Sequence, residues 1–172
     1  MRQFIAIPLP SDVRQAIKTS LKPFGEIEGL KLVKPENLHL TLVFLGNKGS
    51  EDKIRLLDEI KFEPFRLKSS SVEIFPGRKP RIIWIELDSP DELTSLRQNM
   101  ANIFGINEKF RAHITIARIK QLSAENKKTL IEMTGQMNPF VITFPVDHFN
   151  LYNSDLKSDG PVYSVVRSFH CY

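Results

Sequence analysis

Four histidines occur in the chain, and two of them open near-identical segments: His39-Leu40-Thr41-Leu42-Val43 and His113-Ile114-Thr115-Ile116-Ala117. Both segments are rich in β-branched and aliphatic residues and read as strands. Side chains alternate across a strand, so His39 and Thr41 share one face while Leu40, Leu42 and Phe44 take the other. His113 and Thr115 oppose Ile114 and Ile116 in the same way. Each strand buries one face and offers an imidazole and a hydroxyl on the other.

Two imidazoles and two hydroxyls converging on a cleft meet the needs of phosphodiester cleavage without a metal. In-line displacement at phosphorus needs one group to accept the nucleophile's proton and another, opposite it, to protonate the departing oxygen. Histidine suits both tasks because its ordinary pKa of about 6.5 lets both protonation states coexist near neutrality. The threonine hydroxyls can donate to non-bridging oxygens where negative charge builds. A lone His-x-Thr is usually an ordinary piece of strand, but two copies at matching places in a repeat point to function. Neither copy has a carboxylate or thiolate at ligand spacing, so no metal is expected. His148 and His170 lack a Thr partner and read as structural.

The elements that must position these residues also repeat. A strand over 2–8, a helix from Ser11 as N-cap to about Leu21 and a strand over 38–45 form the first unit. A strand over 81–87, a helix over 91–104 and a strand over 112–119 form the second. The first helix carries Val13, Ile17 and Leu21 at helical spacing, and the second carries Leu93, Leu96, Met100, Ile103 and Phe104. A short helix over 51–60, strands over 65–75, 140–144, 148–152 and 162–169, and a helix over 123–134 complete the pattern. Helices mixed irregularly with strands argue for an α+β fold with largely antiparallel sheets, in two pseudo-symmetric lobes facing a central cleft with helices outside.

The 172 residues are 41% hydrophobic and 26% charged, which describes one globular domain of residues 1–172 whose lobes composition does not separate. The single cysteine, Cys171, excludes a disulfide scaffold or thiolate metal cluster and fits a reducing cytoplasm. No apolar run approaches the roughly 20 residues of a membrane span. The 24 Lys+Arg against 20 Asp+Glu give a formal charge of +4, which permits a polyanionic partner. Arg78, Lys79, Arg81, Lys109, Arg111 and Lys120 flank the site strands and are candidate guides for a phosphate backbone. Phe110, Tyr152 and Tyr163 are candidate stacking surfaces for a terminal base.

At these residues the sequence resembles the 2H phosphoesterases, in particular the RNA 2′,3′-cyclic phosphodiesterases also called 2′-5′ RNA ligases. The segments carrying the resemblance include Arg2-Gln3-Phe4-Ile5-Ala6-Ile7, Asn37 to Gly46, Pro80-Arg81-Ile82-Ile83-Trp84, Phe110 to Arg118, Leu151-Tyr152-Asn153-Ser154 and Gly160-Pro161-Val162-Tyr163. Family members often have Pro before the second His, where this chain has Ala112. The resemblance implies two antiparallel lobes around a cleft, opening of a 2′,3′-cyclic phosphate to a 2′-phosphomonoester, and no cofactor. It makes His39 and His113 the acid/base pair and Thr41 and Thr115 the phosphate hydroxyls, and leaves open whether His39 is the acid and His113 the base or the reverse. It also implies a phosphate contact for Arg118, although ideal alternation puts that side chain opposite His113 and Thr115 unless a bulge or the strand end redirects it. The expected partner is RNA with a cyclic phosphate end, tRNA halves among the candidates, and the expected state is a monomer. A non-catalytic RNA-end-binding module and a phosphodiesterase of small cyclic nucleotides, such as ADP-ribose 1″,2″-cyclic phosphate, are the alternatives.

Overall fold

The structure is a computed structural model that describes residues 2–47, 49–76, 79–158 and 160–172. Its strands are β1 (Arg2–Pro8), β2 (Leu30–Leu32), β3 (His39–Gly46), β4 (Phe65–Phe75), β5 (Ile82–Leu87), β6 (His113–Ile119), β7 (Thr143–Val146), β8 (His148–Lys157) and β9 (Gly160–His170). The helices are α1 (Ser11–Ser20), α2 (Glu51–Arg55), α3 (Asp91–Phe104) and α4 (Ala124–Gln136). The strands follow one path, β7-β4-β5-β6-β3-β1-β8-β9, with β2 added on β6 and every pairing antiparallel.

The repeat expected from the sequence is present as β1-α1-β3 and β5-α3-β6, and the two units meet where β3 pairs with β6. That junction has a single register pair, Leu40 with Ile114. Beyond it β2 takes the free edge of β6, pairing Leu32 with Ala117 and Leu30 with Ile119. The central strands therefore touch at one point and part on either side, which opens a cleft where a continuous ladder would have closed it.

The amphipathic pattern of the repeat accounts for the layers. Leu40, Leu42, Ile114 and Ile116 are at most 3% exposed and pack into one apolar core. Val13 and Ile17 of α1 and Leu93, Leu96 and Met100 of α3 join that core, so the helices cover the face opposite the histidines. Full burial of each such side chain contributes roughly 1.5–3 kcal/mol. Gly105 closes α3 in the left-handed conformation, φ +66, that favours glycine.

Several boundaries differ from the sequence reading. Ser11 is the first residue of α1 and Pro10 takes the cap position, where the orphan amides lack a side-chain acceptor. The helix expected over 51–60 stops at Arg55 and tightens into a 3-10 turn, Leu56–Glu59. The strand expected over 140–144 lies at Thr143–Val146, set by pairing of Phe144 with Leu67. β2 is too short to announce itself by periodicity. It is held by Gly29, where a Cβ would collide with the Gln121 carbonyl and φ is +87.

Candidate active site

Counting outward from the Leu40–Ile114 pair, an antiparallel register sets His39 toward Thr115 and Thr41 toward His113, all four on the face away from the core. The two His-x-Thr segments thus form a pseudo-symmetric square of alternating imidazoles and hydroxyls. They line a single cavity of about 300 Å³, together with Phe44 and Arg118.

Phe44 and Arg118 reach this cavity through a bulge repeated in both halves. Along β1, Ile5 pairs with Val43 but Ala6 pairs with Thr41, so Leu42 is skipped. Along β5, Ile83 pairs with Ala117 but Trp84 pairs with Thr115, so Ile116 is skipped. Each bulge puts two consecutive side chains into the core, Leu42 with Val43 and Ile116 with Ala117, and reverses the alternation that follows. The residue five beyond each histidine therefore turns into the cleft. This corrects the placement of Phe44 with Leu40 and Leu42, and it supplies the bulge that Arg118 needed.

Each imidazole is fixed by the residue two before it. The Nδ1–H of His39 donates to the Asn37 carbonyl at 2.7 Å, and the Nδ1–H of His113 donates to the Arg111 carbonyl at 2.7 Å. In the neutral ring this leaves Nε2 with its lone pair available for proton transfer. The Thr41 hydroxyl donates to His39 Nε2 at 3.0 Å. The Asn37 side chain donates to the Pro161 carbonyl at 3.0 Å, tying the 3-10 turn before β3 to the start of β9.

The surroundings of the rings break the symmetry. His39 packs against Phe4 at 4.9 Å and edge-on to Tyr163 at 5.4 Å. Burial, reinforced by the positive charges of His113 and Arg118 and opposed by the Asn37 hydrogen bond, lowers its pKa from 6.5 to about 4. His113 lies on Trp84, ring centroids 4.4 Å apart, with Phe75 stacked on the same indole. Burial lowers its pKa too, with Arg111 reinforcing and the Arg111 carbonyl bond and Glu86 carboxylate opposing. Arg111 bonds Glu86 at 2.7 Å and lies over Trp84. Burial raises the pKa of the Tyr163 hydroxyl, and the Arg118 guanidinium opposes that shift.

Of the expected stacking residues, Tyr163 lines the cleft, Tyr152 stacks beneath Phe4, and Phe110 packs against the core and Arg97. Lys79, Arg81, Lys109 and Lys120 are exposed away from the cavity lining, Arg111 is engaged with Glu86, and Arg78 lies outside the described residues. The cleft's own lysines, Lys31 and Lys34 around β2, were not singled out by sequence because β2 was not. His148 bonds Asp147 and stacks on His170, away from the cleft. Among the described residues, no three His, Cys, Asp or Glu side chains group as a metal site requires, and no helix is long and apolar enough to cross a membrane.

This cleft and its internal symmetry coincide with a known family. The family described as LigT like Phosphoesterase matches residues 7–84 and again 85–163, one match for each half, and the chain belongs to it. An RNA 2′,3′-cyclic phosphodiesterase of Archaeoglobus fulgidus is 34% identical over 98% of this chain and 99% of its own. Among solved structures, TT0787 of Thermus thermophilus superposes with a TM-score of 0.75 at 30% identity, over 99% of this chain and 97% of that one. Escherichia coli LigT complexed with 3′-AMP gives a TM-score of 0.78 at 22% identity, over 99% and 97%, and shares the fold.

Proposed function

We propose that the protein opens 2′,3′-cyclic phosphates at RNA ends to 2′-phosphomonoesters, with His39 and His113 transferring the protons. The observation that carries this reading is the square of His39, Thr41, His113 and Thr115 across the splayed β3–β6 junction, in a cavity that Arg118 completes. The name of the Archaeoglobus relative, matched over nearly the whole of both chains, supports the same substrate class.

His113 Nε2 takes a proton from water as it attacks phosphorus, the O3′–P bond breaks, and His39 Nε2–H protonates the departing O3′. His39, whose pKa burial and the charges of His113 and Arg118 push to about 4, is the ring that gives up its proton readily. Thr41 exchanges its bond to His39 for one to a non-bridging oxygen, and Thr115 donates to the same phosphoryl group. Arg118, which lines the cavity beside Tyr163, offers a planar fork to the negative charge. The 68% exposed Phe44 ring at the rim gives the terminal base a stacking surface. With a 5′-hydroxyl oligonucleotide in place of water, the same groups serve 2′-5′ joining: His113 takes the 5′-hydroxyl's proton, the O3′–P bond breaks and His39 protonates O3′.

The test is incubation with an oligonucleotide ending in a 2′,3′-cyclic phosphate, with and without EDTA, and identification of the product isomer. A 2′-phosphomonoester formed at an unchanged rate in EDTA is expected. Salt-sensitive binding without turnover would replace the enzyme reading with an end-binding module.

A further inference from the structure

Beyond Phe44 the cleft opens into a second hollow of about 510 Å³, which shares His39, Phe44, Arg118 and Tyr163 with the first. It runs along the β3-β1-β8 limb, where Gly46 pairs with Gln3 and Arg2 pairs with Ser154. From Thr41 to Gly46 is five residues, roughly 16 Å of strand, and β3 and β8 lie about 10 Å apart across β1. In the proposed reaction the cyclic phosphate and its nucleoside take the inner end, beside the two His-x-Thr segments, and the outer end remains.

The outer end is built for more of a nucleic acid chain. Gly46 contributes no side chain, and a Cβ there would meet nothing within 4 Å. Phe44 and Leu156 are each 68% exposed and line the same hollow, so two large apolar side chains stand bare on one concave surface. Arg2 and Arg118 line it, and no carboxylate does among the described residues. The opposite flank, on β4 and β5, sets two carboxylates, Glu73 and Glu86, around the single guanidinium of Arg111. Arg2 thus sets a positive charge on the path of a chain that leaves the catalytic cleft along this limb.

We propose that this hollow binds the penultimate nucleotide of single-stranded RNA. Leu156 contacts its base, and Arg2 contacts the phosphodiester joining it to the terminal nucleotide. The inference rests on the phosphodiesterase reading above and narrows its substrate to an oligonucleotide end in preference to a small cyclic nucleotide.

The experiment compares kcat/KM for adenosine 2′,3′-cyclic phosphate with that for the adenine dinucleotide carrying the same cyclic end, in the wild type, Arg2→Ala and Leu156→Ser. The added 5′ nucleotide is expected to raise kcat/KM by about tenfold, in line with one apolar base contact and one charge-assisted phosphate contact. Each substitution should remove most of that gain and leave mononucleotide turnover unchanged, and a dinucleotide abasic at its 5′ position should mimic Leu156→Ser. Equal kcat/KM for the two substrates, or variants that slow both alike, would overturn the subsite while leaving the catalytic reading intact. No turnover of either substrate would remove both.

Discussion

Replacing His39 by Gln should make the protein less sensitive to acid unfolding. The folded pKa of His39, about 4, lies below its ordinary 6.5 because the ring is buried beside Phe4 and faces Arg118 and His113. Between these values the unfolded chain binds a proton that the folded chain excludes, so this group lowers stability as pH falls through that window. Its contribution is fully retained above pH 6.5. Integrating the linkage gives a loss of about 2 kcal/mol at pH 5 and about 3 kcal/mol at pH 4, relative to pH 8. The assay is urea unfolding followed by circular dichroism at pH 8, 5 and 4. Comparing each protein with itself across pH cancels the intrinsic effect of the substitution. Wild type should lose on the order of 2–3 kcal/mol more than His39→Gln on acidification. Equal losses would refute the claim that the folded cleft holds His39 neutral.

Other consequences follow from the same geometry. Catalysis needs one neutral and one protonated imidazole, and both pKa values are lowered, so the kcat/KM profile should be a bell with its maximum between about pH 4 and 6.5. A maximum above pH 7 in initial-rate measurements would contradict this. Arg118→Ala should reduce kcat more than KM rises, by roughly 10²-fold, because the guanidinium meets charge that grows in the transition state. Arg118→Lys should recover part of that loss but not the bidentate fork. Gly29→Ala should destabilise the fold in thermal unfolding, since a Cβ has no space against the Gln121 carbonyl and φ is +87.

The two histidines and two threonines of the candidate site were legible in the chain because period-two alternation, two copies of His-x-Thr and the surrounding strand-helix-strand repeat all point the same way. The cleft between them was not fully legible. It depends on β3 and β6 touching at one residue pair and on three-residue β2 occupying the edge beyond, and neither follows from local periodicity. Phe44 was assigned to the core face for a related reason. The extra residue of a bulge is defined by the partner strand, and alternation counts only along one. A signal for it existed in the second segment only: Thr115 is followed by two apolar residues and then Arg118, a side chain unlike the core, whereas Phe44 is of a type that the core uses freely. Ser11, a good capping residue by type, yields the cap position to Pro10, whose φ of −57 and ψ of 154 set the chain's entry into α1.

The central claim is that His39 gives a proton to O3′ while His113 takes one from water. It is tested most directly with an RNA end whose cyclic phosphate carries sulfur in place of O3′. A thiolate, with an ordinary pKa near 8.5, leaves without protonation. On the all-oxygen substrate, His39→Ala and His113→Ala should each be slowed by roughly 10²–10⁴-fold. On the sulfur substrate, His39→Ala should return to within about tenfold of wild type while His113→Ala stays slow. Rescue of His113→Ala in place of His39→Ala would reverse the assignment, and full activity of either variant on the all-oxygen substrate would contradict the two-histidine mechanism itself.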